Sequence, residues 1–490
     1  MSAPTTERNL APAVHPVDER LPIGRLGILG LQHVLIMYTG CVTVPLIFGN
    51  AVGLDGKTIG ILINADLVVA GVITIIQSVG IGKVLGVRLP IVAGATFAGL
   101  SPMILIANKY GMQAVYGSMI AAGIFGLLIA VPFARIVRFF PPVVTGSVIT
   151  VIGISLLGAA GGLIVGNNPD DPDHAAPSRV LLAFGVIAVI LLITRFVRGL
   201  LGQLAVLGGL IVGTIVAIPM GLVDFSSVGD AEWLGFAKPL YFGAPEFPIA
   251  AVISMCVVML VIFTESTADM LAVSNLVGKE LTPRDLARGL AADGLSGVFA
   301  GFYNSFLDTA FAQNVGLISV TKVKSRFVVT AAGIILLALG AVPKMGELVA
   351  SLPGPVIGGA GLVMFAMVSA VGIRSLSKVE YEGTHNLMLV ACAIGLGLLP
   401  AFAEDVYSKF PDWFQIIFGS EITTAAFVAF GLNLFFNHLM ARPPVDLGPM
   451  DAGADTVVGA PATIDITALE AEPRPDAESE VNPTGTKPTP

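Results

Sequence analysis

Charged side chains are scarce in this chain of 490 residues, where they make up only 12% of the sequence. A soluble globular protein carries roughly a quarter of charged residues, and here 55% of the residues are hydrophobic instead. Apolar runs of about 20 residues, the length that crosses a hydrocarbon core of about 30 Å, recur almost from end to end. The composition excludes a globular enzyme with a single membrane anchor and predicts a polytopic membrane protein.

Cysteine is also scarce, and its spacing indicates no framework. Cys41, Cys256 and Cys392 each lie inside an apolar segment without a paired neighbour. Free cysteines of this kind pack as small buried residues, so neither a disulfide network nor a zinc site is indicated, and we expect no cofactor. A removable signal peptide is not indicated either, because the first apolar run lacks a small-residue cleavage site.

The net charge of −8 says little about partners, because much of the acidity lies in the tail after Pro443. This tail, 443–490, is rich in Pro, Ala, Thr, Asp and Glu, and such a composition predicts disorder. Nothing in the sequence indicates a nucleic-acid partner. The partner expected of the remaining chain is membrane lipid.

Hydropathy and helix breakers together predict about fourteen membrane segments in an all-α protein. The first seven lie near 25–49, 60–81, 92–107, 113–133, 142–165, 180–197 and 203–222. The second seven lie near 246–272, 287–304, 306–321, 326–343, 354–373, 385–400 and 423–440. An even number of spans returns both termini to the same side of the membrane.

Basic residues are unevenly divided between the two sides that this arrangement creates. All but six of the 26 Lys and Arg residues fall on the side of the termini. The six on the opposite side are Lys57, Lys109, Arg179, Lys238, Lys344 and Lys409. By the positive-inside rule the termini are cytoplasmic, and we expect a multi-pass protein of the inner, or plasma, membrane.

The two halves show traces of an internal repeat. The segment at 142–146, PVVTG, aligns with PVIGG at 355–359, and Phe97-Ala98 aligns with Phe311-Ala312 at nearly the same offset. A unit of seven spans has an odd number, so its second copy enters the membrane inverted, which is typical of transporters. Chance similarity between two apolar segments rich in proline and glycine is the alternative.

The third and tenth segments are short and broken. Residues 90–97 precede a helical stretch at 98–107, and residues 304–313 precede another at 314–321. Both patterns predict a short extended stretch that leads into a half-helix, and irregular backbone at this depth requires surrounding protein or a water-filled cavity. Two half-helix N-termini that meet at mid-membrane present free N–H groups, so we expect the substrate there.

Ionisable side chains inside the apolar segments are few, and each costs about 2.5–3.5 kcal/mol at mid-bilayer on insertion scales. Glu265 follows a long apolar run, and Asp269 lies one helical turn further on the same face. Two neighbouring carboxylates rarely both stay ionised in a low dielectric, so the pair is a predicted proton carrier. A structural hydrogen bond for Glu265, and capping or an interfacial role for Asp269, are the alternatives. Asp293 starts the next segment, where helix-end solvation is the alternative to function.

Amides and a histidine add to these acids. Gln313 and Asn314 occupy the junction in the tenth segment, and an amide offers both donors and an acceptor, which suits the edge of a nucleobase. Satisfying the unwound backbone is the alternative. His33 lies in the first segment, where a lone histidine is more often a buried organiser than a ligand. Asp308 and Asp66 also lie in apolar surroundings, and spacing alone assigns them no role.

The segment from Gln313 to Lys322 reads QNVGLISVTK and resembles the signature of the nucleobase–ascorbate transporters, also called nucleobase:cation symporter-2. Other motifs are similar to the family's first, eighth and ninth spans: QHVL at 32–35 with Pro45-Leu46, TEST at 264–267 and ADG at 292–294. The resemblance covers roughly residues 22–440.

This resemblance implies a homodimer of fourteen-span protomers, each with a core and a gate domain. The corresponding boundaries are 1–21 for an N-terminal segment, 22–133 and 246–343 for the core, 142–222 and 354–440 for the gate, and 443–490 for the tail. By motif position, Glu265 corresponds to the substrate-binding carboxylate, Gln313 to a second contact, Asp293 to an essential acid and His33 to a residue that shapes the pocket. The backbone around Phe97 corresponds to a stretch that stacks on or bonds to the base.

The resemblance also bears on the substrate. Uracil members generally have glutamate where this chain has Gln313, and xanthine or urate members have glutamine, so a purine is favoured. Purine members usually have Pro-Tyr-Thr before the signature, whereas this chain has Leu307-Asp308-Thr309. The expected function is proton-coupled uptake of xanthine or uric acid, with a uracil or other nucleobase permease of the same family as the alternative.

Two other classes of function are weaker. Half-helix N-termini also attract anions, but an anion pore lines its constriction with Arg or Lys, and none lies between Phe247 and Gly278. A membrane enzyme requires a nucleophile with its base, or a metal cluster, and the sequence shows neither.

Overall fold

The computed structural model describes residues 15–166 and 172–439, and within them almost all regular structure is helical. The helices are α1 Ile23–Ala51, α2 Gly56–Val79, α3 Leu100–Tyr110, α4 Met112–Ile136, α5 Pro142–Val165, α6 Pro177–Phe196, α7 Leu200–Gln203, α8 Ala205–Ala217, α9 Ser226–Asp230, α10 Ile249–Val277, α11 Pro283–Tyr303, α12 Ala312–Thr321, α13 Arg326–Gly340, α14 Pro343–Ala350, α15 Gly354–Leu376, α16 Asn386–Phe402, α17 Asp412–Phe418 and α18 Glu421–Asn433. The strands are β1 Ala93–Ala95 and β2 Asp308–Ala310. Short 3-10 turns lie at Pro16–Asp18, Phe97–Gly99, Val137–Phe139 and Glu404–Tyr407, and a π turn at Leu434–Leu439 follows α18.

Each of the fourteen predicted segments coincides with one of these helices or with a strand followed by a helix. In the described part of the chain, eight helices are long and apolar enough to cross a membrane by themselves: α1, α2, α4, α5, α6, α10, α15 and α18 with its π turn. The segment predicted at 326–343 corresponds to α13, which meets the following helix α14 at an angle of 80°. The predicted polytopic, predominantly helical membrane protein is therefore confirmed.

Helix boundaries follow local sequence signals. Proline occupies the first turn of α5, α6, α11, α14 and α15. Backbone N–H groups in the first turn have no acceptor within the helix, so the N–H that proline lacks is not needed there. Thr282 and Asp285 form a capping box at the start of α11, and Gly278 ends α10 with a φ of +75°. Such positive φ angles favour glycine.

The two strands pair antiparallel in the interior. The broken third and tenth segments predict the two extended stretches but not their pairing. Ala93 pairs with Ala310, Gly94 with Thr309 and Ala95 with Asp308. Small residues are required, because a Cβ on Gly94 would lie 2.7 Å from Cys41 Sγ and 2.8 Å from the Phe311 ring. The pairing satisfies backbone groups that lipid leaves unsatisfied. β1 leads into the 3-10 turn Phe97–Gly99 and α3, and β2 leads into α12.

Glycines bring the long helices into close contact. α2 packs on α13, α4 on α11 and α5 on α15. A Cβ on Gly71 of α2 would lie 2.8 Å from the Gly333 carbonyl of α13, and one on Gly146 of α5 would lie 3.1 Å from the Gly372 carbonyl of α15. Small residues at such crossings let helix backbones approach in the absence of a hydrophobic force between helices in lipid.

Gly294 of α11 gives a test of this packing. We expect Gly294→Ala to lower the thermal stability of the purified protein, because the new Cβ would lie 2.7 Å from the Leu127 backbone nitrogen of α4. Backbone atoms cannot rotate away, so the cost is about 1–3 kcal/mol, typical of overpacking. The matched control is Gly158→Ala in α5, where no atom lies within 4 Å of the new Cβ. Equal melting temperatures for the two variants would contradict this description of the α4–α11 contact.

The predicted N-terminal segment, 1–21, is described from His15 onward. Val17 is fully buried, Asp18 forms an ion pair with Arg326 Nε at 2.7 Å, and Ser325 Oγ donates to the Glu19 carbonyl at 2.6 Å. These contacts join the segment to the start of α13. The predicted disordered tail, 443–490, lies outside the described residues.

Candidate functional site

Glu265 lies on α10 beside the turn that follows β1. Thr96 Oγ1 donates a long hydrogen bond of 3.5 Å to Glu265 Oε2 and also accepts from the Ala98 N–H at 3.1 Å, which caps the turn Phe97–Gly99. The Glu265 side chain is half-buried. Within the ranges that the structure describes, no basic residue forms an ion pair with it. Its carboxylate is thus an acceptor without a cationic partner.

The other strand reaches the same part of α10. Ser266 Oγ lies 3.2 Å from Thr309 Oγ1 and accepts from the Ala310 N–H at 3.1 Å. Sequence reasoning missed Thr96, Ser266 and Thr309. A polar hydroxyl beside each predicted extended stretch was the available signal, because unwound backbone requires local hydrogen-bond partners.

Phe97 and Gln313 lie at the two half-helix starts. Phe97 is half-buried, and its ring makes an edge contact with Phe365 of α15, with ring centroids 5.3 Å apart. Gln313 is in the first turn of α12 and is exposed. α10 contacts both the turn Phe97–Gly99 and α12. The elements of Phe97, Glu265 and Gln313 meet, and none of the three side chains is fully buried. We call these residues the base site, after the nucleobase that the motif resemblance implies.

Asn314 and His33 contact each other instead. Asn314 Nδ2 lies 3.0 Å from His33 Nδ1 and donates to the His33 carbonyl at 3.1 Å. Their exposed fractions are only 1% and 3%, so the two side chains join α12 to α1 inside the packed protein. They are in a position to orient the first turn of α12, and Gln313 with it.

The two other acids of the predicted proton path lie deeper or further along α10. Gln77 Nε2 donates to Asp293 Oδ1 at 2.9 Å and to the Gly289 carbonyl at 2.9 Å. The second oxygen of Asp293 has no hydrogen-bond partner among the described residues. Asp293 is fully buried, and the Ser266 hydroxyl lies near its carboxylate. Asp269 is half-buried, one turn after Glu265.

Asp66 and Asp308 do not join the base site. Both are fully buried, Asp66 on α2 beside Ser305 and Asp308 on β2 beside Ser296. In the described part of the chain, no group of three or more His, Cys, Asp or Glu side chains is arranged to hold a metal ion.

The base site combines three kinds of contact. A carboxylate accepts N–H groups, a primary amide both donates and accepts, and an aromatic ring offers a flat apolar face. This combination suits a small planar heterocycle with ring N–H and carbonyl groups. It does not suit a simple inorganic anion, which a carboxylate repels.

Comparisons with known proteins identify the family. The model of a family described as "Permease family" matches residues 24–406. The chain is 43% identical over 429 residues to the uric acid transporter UacT of Escherichia coli (strain K12), a match that covers 86% of this chain and 88% of that protein. It is 41% identical over 409 residues to the xanthine permease of Bacillus subtilis (strain 168), covering 84% and 93%.

The fold has a counterpart among solved structures. The transmembrane domain of the cyanobacterial bicarbonate transporter BicA superposes with a TM-score of 0.55 at 16% identity, covering 85% of this chain and 99% of that one. At such low identity the likeness concerns the fold alone. The family match and the sequence identities to the relatives assign the chain to a family. The segment from Gln313 to Lys322 resembles the signature of that family. The chain therefore belongs to this permease family, the nucleobase–ascorbate transporters, and is a multi-pass membrane transport protein rather than an enzyme.

Proposed function

We propose that this protein takes up a purine base, xanthine or uric acid, across the plasma membrane together with protons. The observation that carries the proposal is the half-buried Glu265 carboxylate, which has no basic partner among the described residues and lies beside the start of a half-helix. The names of the relatives support the choice of a purine.

Each residue has a distinct part in the proposed binding mode. Glu265 accepts hydrogen bonds from ring N–H groups of the base, Gln313 bonds to its polar edge, and Phe97 packs on its face. His33 and Asn314 were predicted as substrate contacts, and their mutual hydrogen bond supports a positioning part for both. The hydrogen bonds from the base to the Glu265 carboxylate are charge-assisted, and each such bond is worth about 1.5–3 kcal/mol.

The neighbouring acids support the proposed proton coupling. Glu265, Asp269 and Asp293 lie in one region, and the Ser266 hydroxyl lies between the Thr309 hydroxyl and the Asp293 carboxylate. Several carboxylates close together in a low dielectric favour proton uptake over full ionisation. In the proposed cycle, a proton bound within this group accompanies the base inward.

The helix contacts support fourteen spans arranged as two inverted repeats. In the proposed repeat, α2 corresponds to α11, α4 to α13, β1 to β2 and α5 to α15. The α2–α13 contact is therefore equivalent to the α4–α11 contact, and the β1–β2 and α5–α15 contacts each join an element to its own counterpart. Helices of 22–133 contact those of 246–343, and helices of 142–222 contact those of 354–440, as a core and a gate require. Cytoplasmic termini, from the positive-inside rule, and a homodimer in the bilayer complete the proposal.

Competition of uptake tests the proposed substrate. We expect cells or proteoliposomes that contain this protein to take up labelled xanthine, with unlabelled xanthine or uric acid as strong competitors and uracil as a weak one. Uptake should increase with an inward proton gradient and be independent of sodium. Vesicles without the protein are the control. Strong competition by uracil alone, or electrogenic bicarbonate flux without base uptake, would contradict the proposal.

A further inference from the structure

Besides the acids of the predicted proton path, two further buried carboxylates form no ion pair with a basic side chain of the described residues. Asp66 of α2 has an exposed fraction of 1%, and Asp308 of β2 is fully buried. Ser305 Oγ donates to Asp66 Oδ1 at 3.0 Å, and Ser296 Oγ donates to Asp308 Oδ2 at 2.8 Å. The second oxygen of each, Asp66 Oδ2 and Asp308 Oδ1, has no hydrogen-bond partner within the described ranges. Asp66 lies within electrostatic range of Asp308, and Cys41 lies near both carboxylates and near the backbone of Ala95, the strand partner of Asp308. We call Asp66 and Asp308 the acid pair.

Among the described residues, the titratable groups that face the acid pair are all acids. Cys41 of α1 and the Phe306 N–H lie near the Asp66 carboxylate without bonding to its Oδ2. Tyr116 of α4, whose buried hydroxyl also lacks a partner among the described residues, lies within electrostatic range of Asp66, and Asp293 of α11 lies within range of Asp308. Glu347 of α14 packs against Gly60, well along α2 from Asp66.

No described Lys, Arg or His forms an ion pair with either member of the acid pair. Two interacting carboxylates at full burial do not both stay ionised, because desolvation and mutual repulsion both oppose the doubly charged state. A coupled pair of this kind loses its two protons in two separate steps that belong to the pair as a whole, so one proton is held between those two steps.

A metal ion is a poorer occupant than a proton. Hard cations such as calcium and magnesium take six or more oxygen ligands, and the acid pair offers only two oxygens without a hydrogen-bond partner among the described residues. The serine hydroxyls already donate to the carboxylates. A single proton requires no more than the two free oxygens.

Asp308 lies on β2 next to Thr309, the residue that faces the base site. Successive side chains of a strand point to opposite faces. Asp308 contacts Ser296 of α11, whereas the next residue, Thr309, contacts Ser266 of α10, beside Glu265. A displacement of β2 therefore moves the surroundings of both groups.

We infer that Asp66 and Asp308 form a buried proton-binding site, which holds one proton for its two carboxyl groups behind the strand that borders the base site. This site is distinct from Glu265, Asp269 and Asp293. The inference rests on the geometry of the described residues and not on the proposed substrate. A result that overturns the inference therefore leaves the proposed function untouched, and the reverse also holds.

Infrared spectroscopy of the purified protein tests this inference without a transport assay. Protonated carboxyl groups have a C=O stretching band that ionised carboxylates lack, and the band shifts in heavy water. The intensity of one group is calibrated on the same protein denatured in acid, where all 34 Asp and Glu side chains are protonated. At neutral pH we expect the double variant Asp66→Asn, Asp308→Asn to lose the intensity of one protonated carboxyl group.

The amide variants keep the acceptor oxygens that Ser305 and Ser296 require, and a melting curve checks their folding. If the double amide variant does not fold, Asp66→Ser with Asp308→Ser removes the same acids with smaller side chains. The control is Asp55→Asn with Asp224→Asn, two exposed acids. Hydrogen bonds from Ser226 hold the pKa of Asp224 below its ordinary value, so this control loses no protonated band. No loss, or the loss of two groups, in the acid-pair variant would overturn the inference.

Discussion

Replacing Glu265 by glutamine is expected to abolish measurable uptake of xanthine and uric acid. The glutamine side chain has nearly the same shape, so the change removes charge and replaces one acceptor oxygen by a donor. Loss of two charge-assisted hydrogen bonds, at about 1.5–3 kcal/mol each, lowers affinity by about 100-fold or more. The loss should appear in direct binding to purified protein as well as in uptake.

The matched control for Glu265→Gln is Glu280→Gln, an exposed glutamate just beyond the end of the same helix. We expect this variant to bind and transport as the native protein does. Undiminished uptake by Glu265→Gln that still responds to the proton gradient would remove Glu265 from both of its proposed parts, substrate contact and proton carrier.

Changing Gln313 is expected to have the next largest effect. In Gln313→Glu the amide donor becomes an acceptor-only carboxylate, which repels a base carbonyl and adds a negative charge beside Glu265. We expect xanthine uptake to fall by about 10-fold to 100-fold, the equivalent of about 1.4–2.8 kcal/mol. Gln313→Met keeps a side chain of similar length without either hydrogen bond. Xanthine uptake by this variant should fall less, because methionine adds no repulsion.

Ser319→Ala on the same helix is the control for Gln313, because Ser319 is exposed and its hydroxyl bonds only to the Gly316 carbonyl within the described residues. Uptake by this variant should be native. If Gln313→Glu transports xanthine as well as the native protein does, α12 does not present its first turn to the substrate, and Gln313 is not part of the base site.

Much of this arrangement could be predicted from the sequence. Apolar length and breakers predict the membrane segments, and the interruptions at Pro90 and Asn304 predict the extended stretches that became β1 and β2. Glu265 stands out because lipid makes an unpaired carboxylate costly. These signals are local, since each depends on residues that are near one another along the chain.

Partners distant along the chain could not be predicted. Asn314 and Gln313 are adjacent and both amides, yet only the structure shows that Asn314 turns towards His33, 281 residues away, while Gln313 is exposed. A helix turns by about 100° per residue, so neighbours face different directions. The same applies to Gln77, whose contact with Asp293 spans 216 residues.

Asp308 shows most clearly what the sequence alone cannot predict. The sequence places a carboxylate where a contact with the substrate would be natural, one residue before Thr309. The strand register decides otherwise, since pairing of Asp308 with Ala95 directs its side chain to Ser296 rather than to α10. A shift of one residue would exchange the two faces, and no local pattern in a three-residue strand fixes that register.

We propose that Glu265 and Gln313 hold a planar base at the half-helix starts. A cryo-electron microscopy structure of the native protein in lipid nanodiscs with saturating xanthine would locate that base. We expect density for the base against the Phe97 ring, with ring nitrogens about 2.7–3.0 Å from the Glu265 carboxylate and the Gln313 amide on its other edge. Base density elsewhere in the protein, with Glu265 and Gln313 both free of it, would overturn the proposed binding mode.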